Sequence, residues 1–220
     1  IKLRESSMTL AAIEKDELTG LYTRQAFYHH ARTFTHFMTE EKFNVVILDV
    51  SDFKLINGTY GTKKGNEVLV YLSNAFRYYV KNGLLTRYEG DQLLGLFHSK
   101  VKMDVERINR NINKIAEEAP IPNIRIKVGI YEDVDTNLSI PVICDRALMA
   151  EKSISKDFKT NVAFYTDEMN QKQLVQRQME NDFKSAIVNR EFKVYYQPKY
   201  DVNTENIVGA EALVRWQKPD

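Results

Sequence analysis

Residues 84–98 read LLTRYEGDQLLGLFH, and this stretch decides the fold. Two short apolar runs, residues 84–88 and 93–98, flank the tetrapeptide EGDQ at residues 89–92. Apolar runs on either side of turn-forming residues predict an antiparallel β-hairpin. Because four residues separate the runs, we do not expect the strict two-residue turn of the tightest hairpins.

The segments around this hairpin alternate between strand and helix patterns. Phe43–Val50 (FNVVILDV) is short, apolar and β-branched, which predicts a buried strand that ends near an aspartate. A helical face follows over residues 65–80, formed by Val68, Leu69, Leu72, Phe76 and Tyr79. After the hairpin come a helix around residues 105–115, a strand at 124–131, a helix around 143–154 and a strand at 162–165. The order strand–helix–strand–strand–helix–strand predicts a ferredoxin-like α+β core with one added helix and strand.

Composition limits the classes of partner. The 220 residues carry 31 Lys and Arg against 30 Asp and Glu, a net charge of +1. This balance gives no overall basic field, so we expect no nucleic-acid partner. No stretch approaches the roughly 20 apolar residues of a membrane span. The single cysteine, Cys144, cannot form an internal disulfide, which favours a cytoplasmic setting.

The chain divides into four expected regions. Residues 1–15 are predicted to form a helical lead-in, and residues 16–166 hold the α+β core. Residues 167–190 contain few turn-forming residues, which predicts a linking helix. In residues 191–220, two further strands at 192–196 and 207–216 are separated by the turn-forming DVNTEN. The chain starts without Met and stops within a pattern, so we interpret it as a piece of a longer protein.

Four stretches, in order and spacing, resemble the GGDEF (diguanylate cyclase-like) family. They are DELTGLYTR (16–24), DVSDFKLIN (49–57), RYEGDQL (87–93) and CDRALMAEK (144–152). Together they cover roughly residues 12–166. The resemblance implies a nucleotidyl-cyclase-type core, with a central, mostly antiparallel sheet flanked by helices.

A second resemblance begins near Met179. The segments MENDFKSAI (179–187), YYQP (195–198) and EALVRW (211–216) are similar to the start of an EAL (cyclic-di-GMP phosphodiesterase) domain. Only about 40 residues of it are present, too few to close the expected (β/α)-barrel. The resemblance implies a tandem GGDEF–EAL parent.

Residues of this second part match single positions of the EAL family. Glu211 corresponds to a metal-binding glutamate, Arg215 to a phosphate-contacting arginine and Gln197 to a residue of the ligand pocket. The remaining metal ligands and the catalytic base would lie beyond Asp220. We therefore expect no hydrolysis of cyclic-di-GMP by this chain, since one carboxylate does not make a Mg²⁺ site.

Two aspartates form a candidate metal pair. Asp49 would end the first core strand and Asp91 would lie in the hairpin beside it. Paired carboxylates of this kind suit Mg²⁺, although spacing alone also fits two solvated loop aspartates. The GGDEF resemblance assigns Mg²⁺ binding to Asp49, Asp91 and the backbone carbonyl of Val50.

The nucleotide contacts are implied by the same resemblance. Backbone N–H groups of the turn at Asp52, Phe53 and Lys54 are suited to cradle phosphate. Further phosphate contacts fall on Lys152 and Lys156. Asn57 matches a guanine-contacting asparagine. Asn66 replaces the usual aspartate, and one mismatched hydrogen bond would cost ~1–3 kcal/mol and weaken the selectivity for guanine.

The signature hairpin departs most from the family pattern, because GG(D/E)EF is EGDQL here. Glu89 replaces the first glycine, which adds bulk and negative charge and removes the conformational freedom of glycine. Gly90 and Asp91 are retained. Gln92 replaces the second acidic residue and cannot accept a proton, so activation of the ribose 3′-hydroxyl through this position is lost. Loss of a general base typically lowers a rate by ~10²–10⁴.

Three functions remain open on the sequence. The first is a degenerate regulatory module that binds GTP or a related guanine nucleotide with Mg²⁺ and acts on the EAL domain of the same parent chain. The second is an active diguanylate cyclase, which converts two GTP to cyclic-di-GMP between the facing subunits of a homodimer. The third is an interaction module that binds no nucleotide.

Overall fold

A computed structural model describes residues 14–36, 42–98, 102–154 and 160–218 of the chain. The predicted lead-in at 1–15 therefore lies outside the described residues except for its last two. The chain forms two compact units, Ile1–Met169 and Asn170–Asp220. Among the described residues, no helix is both long and apolar enough to cross a membrane.

The first unit contains one mixed sheet with helices on its two faces. In chain order its elements are β1 (Tyr22–Thr23), α1 (Arg24–His36), β2 (Phe43–Val50), α2 (Phe53–Tyr60), α3 (Thr62–Tyr79), β3 (Leu84–Glu89), β4 (Gln92–His98), α4 (Val105–Glu117), β5 (Ile126–Tyr131), α5 (Ile140–Lys152) and β6 (Val162–Phe164).

The six strands lie in the order β1-β3-β4-β2-β5-β6. The four inner strands pair antiparallel, whereas β1 with β3 and β5 with β6 pair parallel. The inner order β3-β4-β2-β5 is that of a ferredoxin-like core whose crossover helices lie between β2 and β3 and between β4 and β5. The predicted α+β fold class is confirmed.

Strand β2 lies at the centre of the sheet and is buried along nearly its whole length. Successive side chains point to opposite faces, so Val46, Leu48 and Val50 join one core cluster while Val45 and Ile47 join the other. The first cluster includes side chains of α3 and α4, and the second includes side chains of α1 and α5. This double coverage explains why the strand sequence is continuously apolar.

The hairpin turn is tighter than the sequence suggested. Glu89 pairs with Gln92, so only Gly90 and Asp91 lie between the strands. Gly90 has a φ of 56°, whereas Asp91 is not among the residues with positive φ, as in a two-residue turn with glycine first. The expectation of a longer connection is wrong, because a register shift between Arg87 and Glu89 lets both strands continue into the tetrapeptide.

Helix α3 begins earlier than predicted, at Thr62, and its buried face holds Val68, Leu69, Leu72 and Phe76. Tyr79 was placed on the same face, but it is 43% exposed. It is the last residue of the helix, which ends at the C-cap residue Val80.

The second unit contains most of α6 (Asp167–Val188) together with β7 (Phe192–Tyr200) and β8 (Ile207–Trp216). The two strands pair antiparallel, and β7 extends four residues beyond its predicted end. The rings of Phe183, Phe192 and Trp216 pack together, with the Phe192 and Trp216 centroids 5.1 Å apart. The turn between the strands is organised by Asp201, which accepts hydrogen bonds from the backbone of Asn203 and Thr204.

Candidate functional site

The hairpin tip lies against the end of β2. Asp91 Oδ2 accepts a hydrogen bond of 3.3 Å from the backbone N–H of Val50. Asp49, the preceding residue, lies one step beyond the last pair of the β2–β4 ladder, Leu48 with Leu93. Strand pairing therefore brings Asp91 to Asp49 and Val50, although it lies more than 40 residues after them in the chain.

The electrostatics of this place suit a cation. Burial raises the pKa of the Asp91 carboxyl, and the negative charge of Asp49 raises it further. Two such carboxylates supply the oxygen ligands that Mg²⁺ prefers. Within the four described ranges, no three His, Cys, Asp or Glu side chains form a metal cluster. An ion held here would need further oxygen ligands besides these two carboxylates.

Gln92 interacts directly with one of these carboxylates. Its Nε2 donates a hydrogen bond of 3.1 Å to Asp49 Oδ2. Gln92, which stands where the family signature has an acidic residue, thus directs an amide donor toward Asp49. It carries no carboxylate that could take up a proton at this point.

Two charged residues that the sequence analysis missed join the site from β5 and α5. Lys127 lies directly across the ladder from Asp49, and its Nζ is 3.5 Å from Asp49 Oδ1. Lys127 also forms an ion pair with Glu151 of α5. In the sequence, Lys127 is one polar residue of an alternating strand and Glu151 one charge on a helix. The register of β2 against β5 reveals the position of Lys127, and the packing of α5 on β5 reveals that of Glu151.

The phosphate-binding turn predicted at residues 52–54 begins with an unusual backbone. Asp52 has φ 56° and ψ 34°, a left-handed conformation that is uncommon outside glycine. Phe53 and Lys54 then form the first turn of α2, where the N–H groups have no acceptor within a helix. Phe53 packs partly against the core, while Lys54 is exposed.

Asn57 lies in the corner between α2 and α3. A Cβ on Gly65 would lie only 1.9 Å from Asn57 Oδ1, so the absence of a side chain at Gly65 makes room for this amide. Asn66 follows Gly65 and is exposed on α3. The two candidate guanine contacts therefore come from the same corner of the fold.

Of the two lysines that were expected to contact phosphate, the structure describes one. Lys152 is the exposed last residue of α5, next to the buried Glu151. Lys156 lies outside the described residues.

The segment at residues 16–24, which resembles a motif of the family, supports the hairpin. Asp16 accepts hydrogen bonds from Thr19 N (2.8 Å) and Thr19 Oγ1 (2.7 Å) and forms an ion pair with Arg87 (3.1 Å). Arg87 in turn donates from Nε to the carbonyl of Gly90 at 2.8 Å. The turn at Asp16 is therefore linked through one arginine to the hairpin tip.

Glu89 has an ordinary backbone conformation. Positive φ in the hairpin occurs at Gly90 and not at Glu89. The functional effect of losing glycine's conformational freedom at position 89 stays a prediction. The added bulk and charge remain: Glu89 is exposed and lies 3.7 Å from Arg24 Nη1.

In the second unit, Gln197 and Glu211 are direct partners in the β7–β8 ladder. Glu211 also forms an ion pair of 3.3 Å with Lys199. Arg215 lies four residues after Glu211 on the same strand and hence on the same face, opposite Lys193.

Comparison with protein families agrees with this architecture. Residues 13–156 match the model of the GGDEF domain, described as diguanylate cyclase, and residues 180–220 match the model of the EAL domain. Curated relatives include the signaling protein YkoW of Bacillus subtilis, 25% identical over 93% of this chain and 27% of YkoW. The cyclic di-GMP phosphodiesterase PdeR of Escherichia coli is 26% identical over 93% of this chain and 32% of PdeR. The chain thus spans about a third or less of these relatives.

Solved structures share the fold. The coiled coil and GGDEF domain of DgcB from Caulobacter crescentus, in complex with c-di-GMP, superposes with a TM-score of 0.58 at 19% identity. That match covers 74% of this chain and 92% of DgcB. The S helix-GGDEF-EAL portion of LapD from Vibrio cholerae, bound to c-di-GMP, gives a TM-score of 0.56 at 17% identity over 99% of this chain and 52% of that one.

The family match covers well over half of the chain, and the fold agrees with it independently. The chain belongs to the GGDEF family of cyclic-di-GMP signalling domains and continues into the first part of an EAL domain.

Proposed function

We propose that residues 16–166 form a degenerate GGDEF domain that binds GTP or a related guanine nucleotide with Mg²⁺ and does not join two of them. In this proposal the domain is a regulatory module for the EAL phosphodiesterase of the same parent chain and acts in the cytoplasm. The helix at 167–190 links it to the EAL part, which starts at residue 191.

The proposal that the domain does not form cyclic-di-GMP is supported by the contact between Gln92 and Asp49. Family resemblance places an acidic residue at position 92, where it would activate the ribose 3′-hydroxyl. An amide cannot remove that proton, and here the amide donates to a carboxylate instead. A reaction that depends on this proton transfer would be slowed by ~10²–10⁴.

The support for nucleotide binding is a set of groups at the end of β2 and on the helices α2 and α3 that follow it. The first turn of α2 presents N–H groups to an anion, and Lys54 adds an exposed positive charge beside it. Asn57 and Asn66 offer amide groups to a purine edge from the α2–α3 corner. Asp49, Asp91 and the Val50 carbonyl would hold Mg²⁺, which would neutralise phosphate charge.

Titration of the purified chain with GTP and Mg²⁺ by calorimetry tests the binding. We expect saturable binding that is lost in Asp49→Ala and weakened in Lys54→Ala. Lys114→Ala, a change of an exposed lysine on α4, is the matched control and should bind like the parent chain. Absence of binding at millimolar GTP, unchanged in Asp49→Ala, would favour the interaction module that binds no nucleotide.

A product assay for cyclic-di-GMP tests the lack of turnover. We expect none from the parent chain and a gain in the double variant Glu89→Gly/Gln92→Glu, which restores the first four residues of the family signature and leaves Leu93 in place of its phenylalanine. Cyclic-di-GMP formed by the unaltered chain, together with nucleotide-dependent homodimers in light scattering, would identify it as an active cyclase.

A further inference from the structure

An ammonium group of the protein already lies against one carboxylate of the candidate metal pair. Lys127 Nζ is 3.5 Å from Asp49 Oδ1 and is also ion-paired with Glu151. The Lys127, Asp49 and Glu151 side chains are only 21%, 17% and 3% exposed. At such low exposure these charges are little screened by solvent, so their interactions are stronger than those of surface pairs.

Packing fixes this arrangement from two directions. Lys127 is the ladder partner of Asp49, so strand register alone brings the two side chains together. Two residues further on the same face of β5, Gly129 lets α5 approach closely. A Cβ at Gly129 would lie 2.2 Å from the carbonyl oxygen of Ala147 and 2.4 Å from the backbone nitrogen of Glu151.

This close approach buries the Glu151 carboxylate beside Lys127. A buried carboxylate is strongly disfavoured unless a cation compensates it. Lys127 is the cation that does so here, and it cannot leave Glu151 without cost. The lysine is therefore held near Asp49 by a partner that has no other role in the proposed nucleotide site.

Both oxygens of Asp49 are engaged by donors of the same chain. Oδ1 faces the Lys127 ammonium and Oδ2 accepts from the Gln92 amide. Each carboxylate oxygen has a second lone pair, so a divalent ion that binds Asp49 shares these oxygens with the two donors and lies close to a positive charge.

We propose that Lys127, anchored by Glu151, is an internal counter-cation that competes with divalent ions for Asp49. The inference deepens the proposed function and rests on it for the place of the ion. Its consequence is that the pocket binds Mg²⁺ or Mn²⁺ alone only weakly. The ion is held well only together with the phosphate oxygens of a nucleotide, which supply additional ligands.

Binding of Mn²⁺ without nucleotide, measured by the loss of the free-ion electron paramagnetic resonance signal, tests the inference. We expect a dissociation constant in the millimolar range for the parent chain. We expect at least tenfold tighter binding in Lys127→Ser/Glu151→Ala, which removes the cation together with its buried partner. Adding Asp49→Asn to this double variant should abolish the gain.

Two further variants keep the test decisive. Lys127→Gln/Glu151→Gln preserves size and hydrogen bonding while removing both charges, and it should also bind at least tenfold tighter if the serine–alanine variant does not fold. Lys114→Ser/Glu118→Ala removes an exposed lysine–glutamate pair of α4 and should leave the affinity unchanged.

Equal Mn²⁺ affinity of the parent chain and the folded double variants would overturn the inference. So would a gain that survives Asp49→Asn, because the ion would then bind elsewhere. A failure of GTP to bind would contradict the proposed function and would leave this comparison of metal affinities intact, since no nucleotide is present.

Discussion

Asp16 shows how a single carboxylate holds the signature hairpin in place. It receives two hydrogen bonds from Thr19 and the charge of Arg87, whose side chain also binds the Gly90 carbonyl. Burial alone would raise the pKa of Asp16, but the contacts with Thr19 and Arg87 outweigh it and hold the pKa below its ordinary value of 3.8. The ionised form is therefore favoured by folding.

The first prediction concerns Asp16→Asn. A depressed pKa in the folded state stabilises the protein above the unfolded pKa, and that stabilisation is lost as pH falls through the lowered pKa. We expect Asp16→Asn to lower the free energy of unfolding by about 2 kcal/mol at pH 7, with a smaller difference below pH ~4. Urea unfolding at pH 7 and pH 3 measures both values.

Asp145→Asn, at an exposed position of α5, is the control for this series and should change the unfolding free energy by less than ~0.5 kcal/mol. A difference between Asp16→Asn and the parent chain that does not vary with pH would contradict the role of the ionised carboxylate.

The second prediction concerns Gly65→Ala. The added methyl would collide with Asn57 Oδ1, the end of a flexible side chain that can rotate away. We therefore expect little change in the melting temperature but at least a tenfold loss of GTP affinity by calorimetry, because the displaced amide no longer faces the purine. Asn57→Ala should reproduce this loss. Unchanged affinity in both variants would remove Asn57 from the nucleotide site.

At the residue scale, motif spacing was sufficient to predict some neighbours and insufficient for others. Asp49 and Asp91 were predicted to meet because a strand end and a hairpin tip are natural neighbours in this fold, and Asp91 does contact Val50. Lys127 and Glu151 could not be found in this way. The contact of Lys127 with Asp49 depends on a ladder register, and that of Glu151 with Lys127 on a helix approach, neither of which a local pattern encodes.

The contact between β5 and α5 depends on one element packing directly on the backbone of another. The third prediction is that Gly129→Ala lowers the free energy of unfolding by about 3 kcal/mol, since the methyl meets backbone atoms of Ala147 and Glu151 that cannot rotate away. Chemical denaturation measures the loss.

Gly58→Ala is the matched control, because nothing lies within 4 Å of the added methyl. It sits inside α2, where alanine is the better helix former, and should be neutral or stabilising by up to ~1 kcal/mol. Equal changes in the free energy of unfolding for the two substitutions would show that α5 does not pack against the backbone at Gly129.

At the element scale, long apolar or periodic segments were predictable and short elements were not. The central strand β2 and both arms of the hairpin follow from their apolar runs. Strand β1 has only two residues and exists through its parallel pairing with β3, so its sequence carries no signal of its own. Only the turn at residues 52–54 was predicted, and helix α2 was not, because eight residues that include Gly58 give a weak helical pattern.

For the molecule as a whole, the second unit contains two strands with extensive exposed apolar surface. Val194, Tyr195, Tyr196 and Val208 are each at least 51% exposed. An isolated two-stranded sheet is marginal in water, and its unpaired edges favour association.

The fourth prediction is that a chain shortened to residues 1–169 keeps its melting temperature, binds less of a hydrophobic dye and stays monomeric at concentrations where the 220-residue chain associates. Calorimetry, dye fluorescence and light scattering provide the three measurements. If the two chains associate equally, the surface responsible for self-association lies in the first unit instead.

The position of β2 at the centre of the sheet has a consequence for biosynthesis. Its two neighbours are β4, through pairs such as Phe43 with His98, and β5, through pairs such as Val45 with Tyr131. A nascent chain leaving the ribosome therefore carries this apolar segment without β4 for about 50 further residues, and without β5 for about 80. During that interval the segment is a natural target for chaperones, and slow synthesis before residue 131 would prolong its exposure.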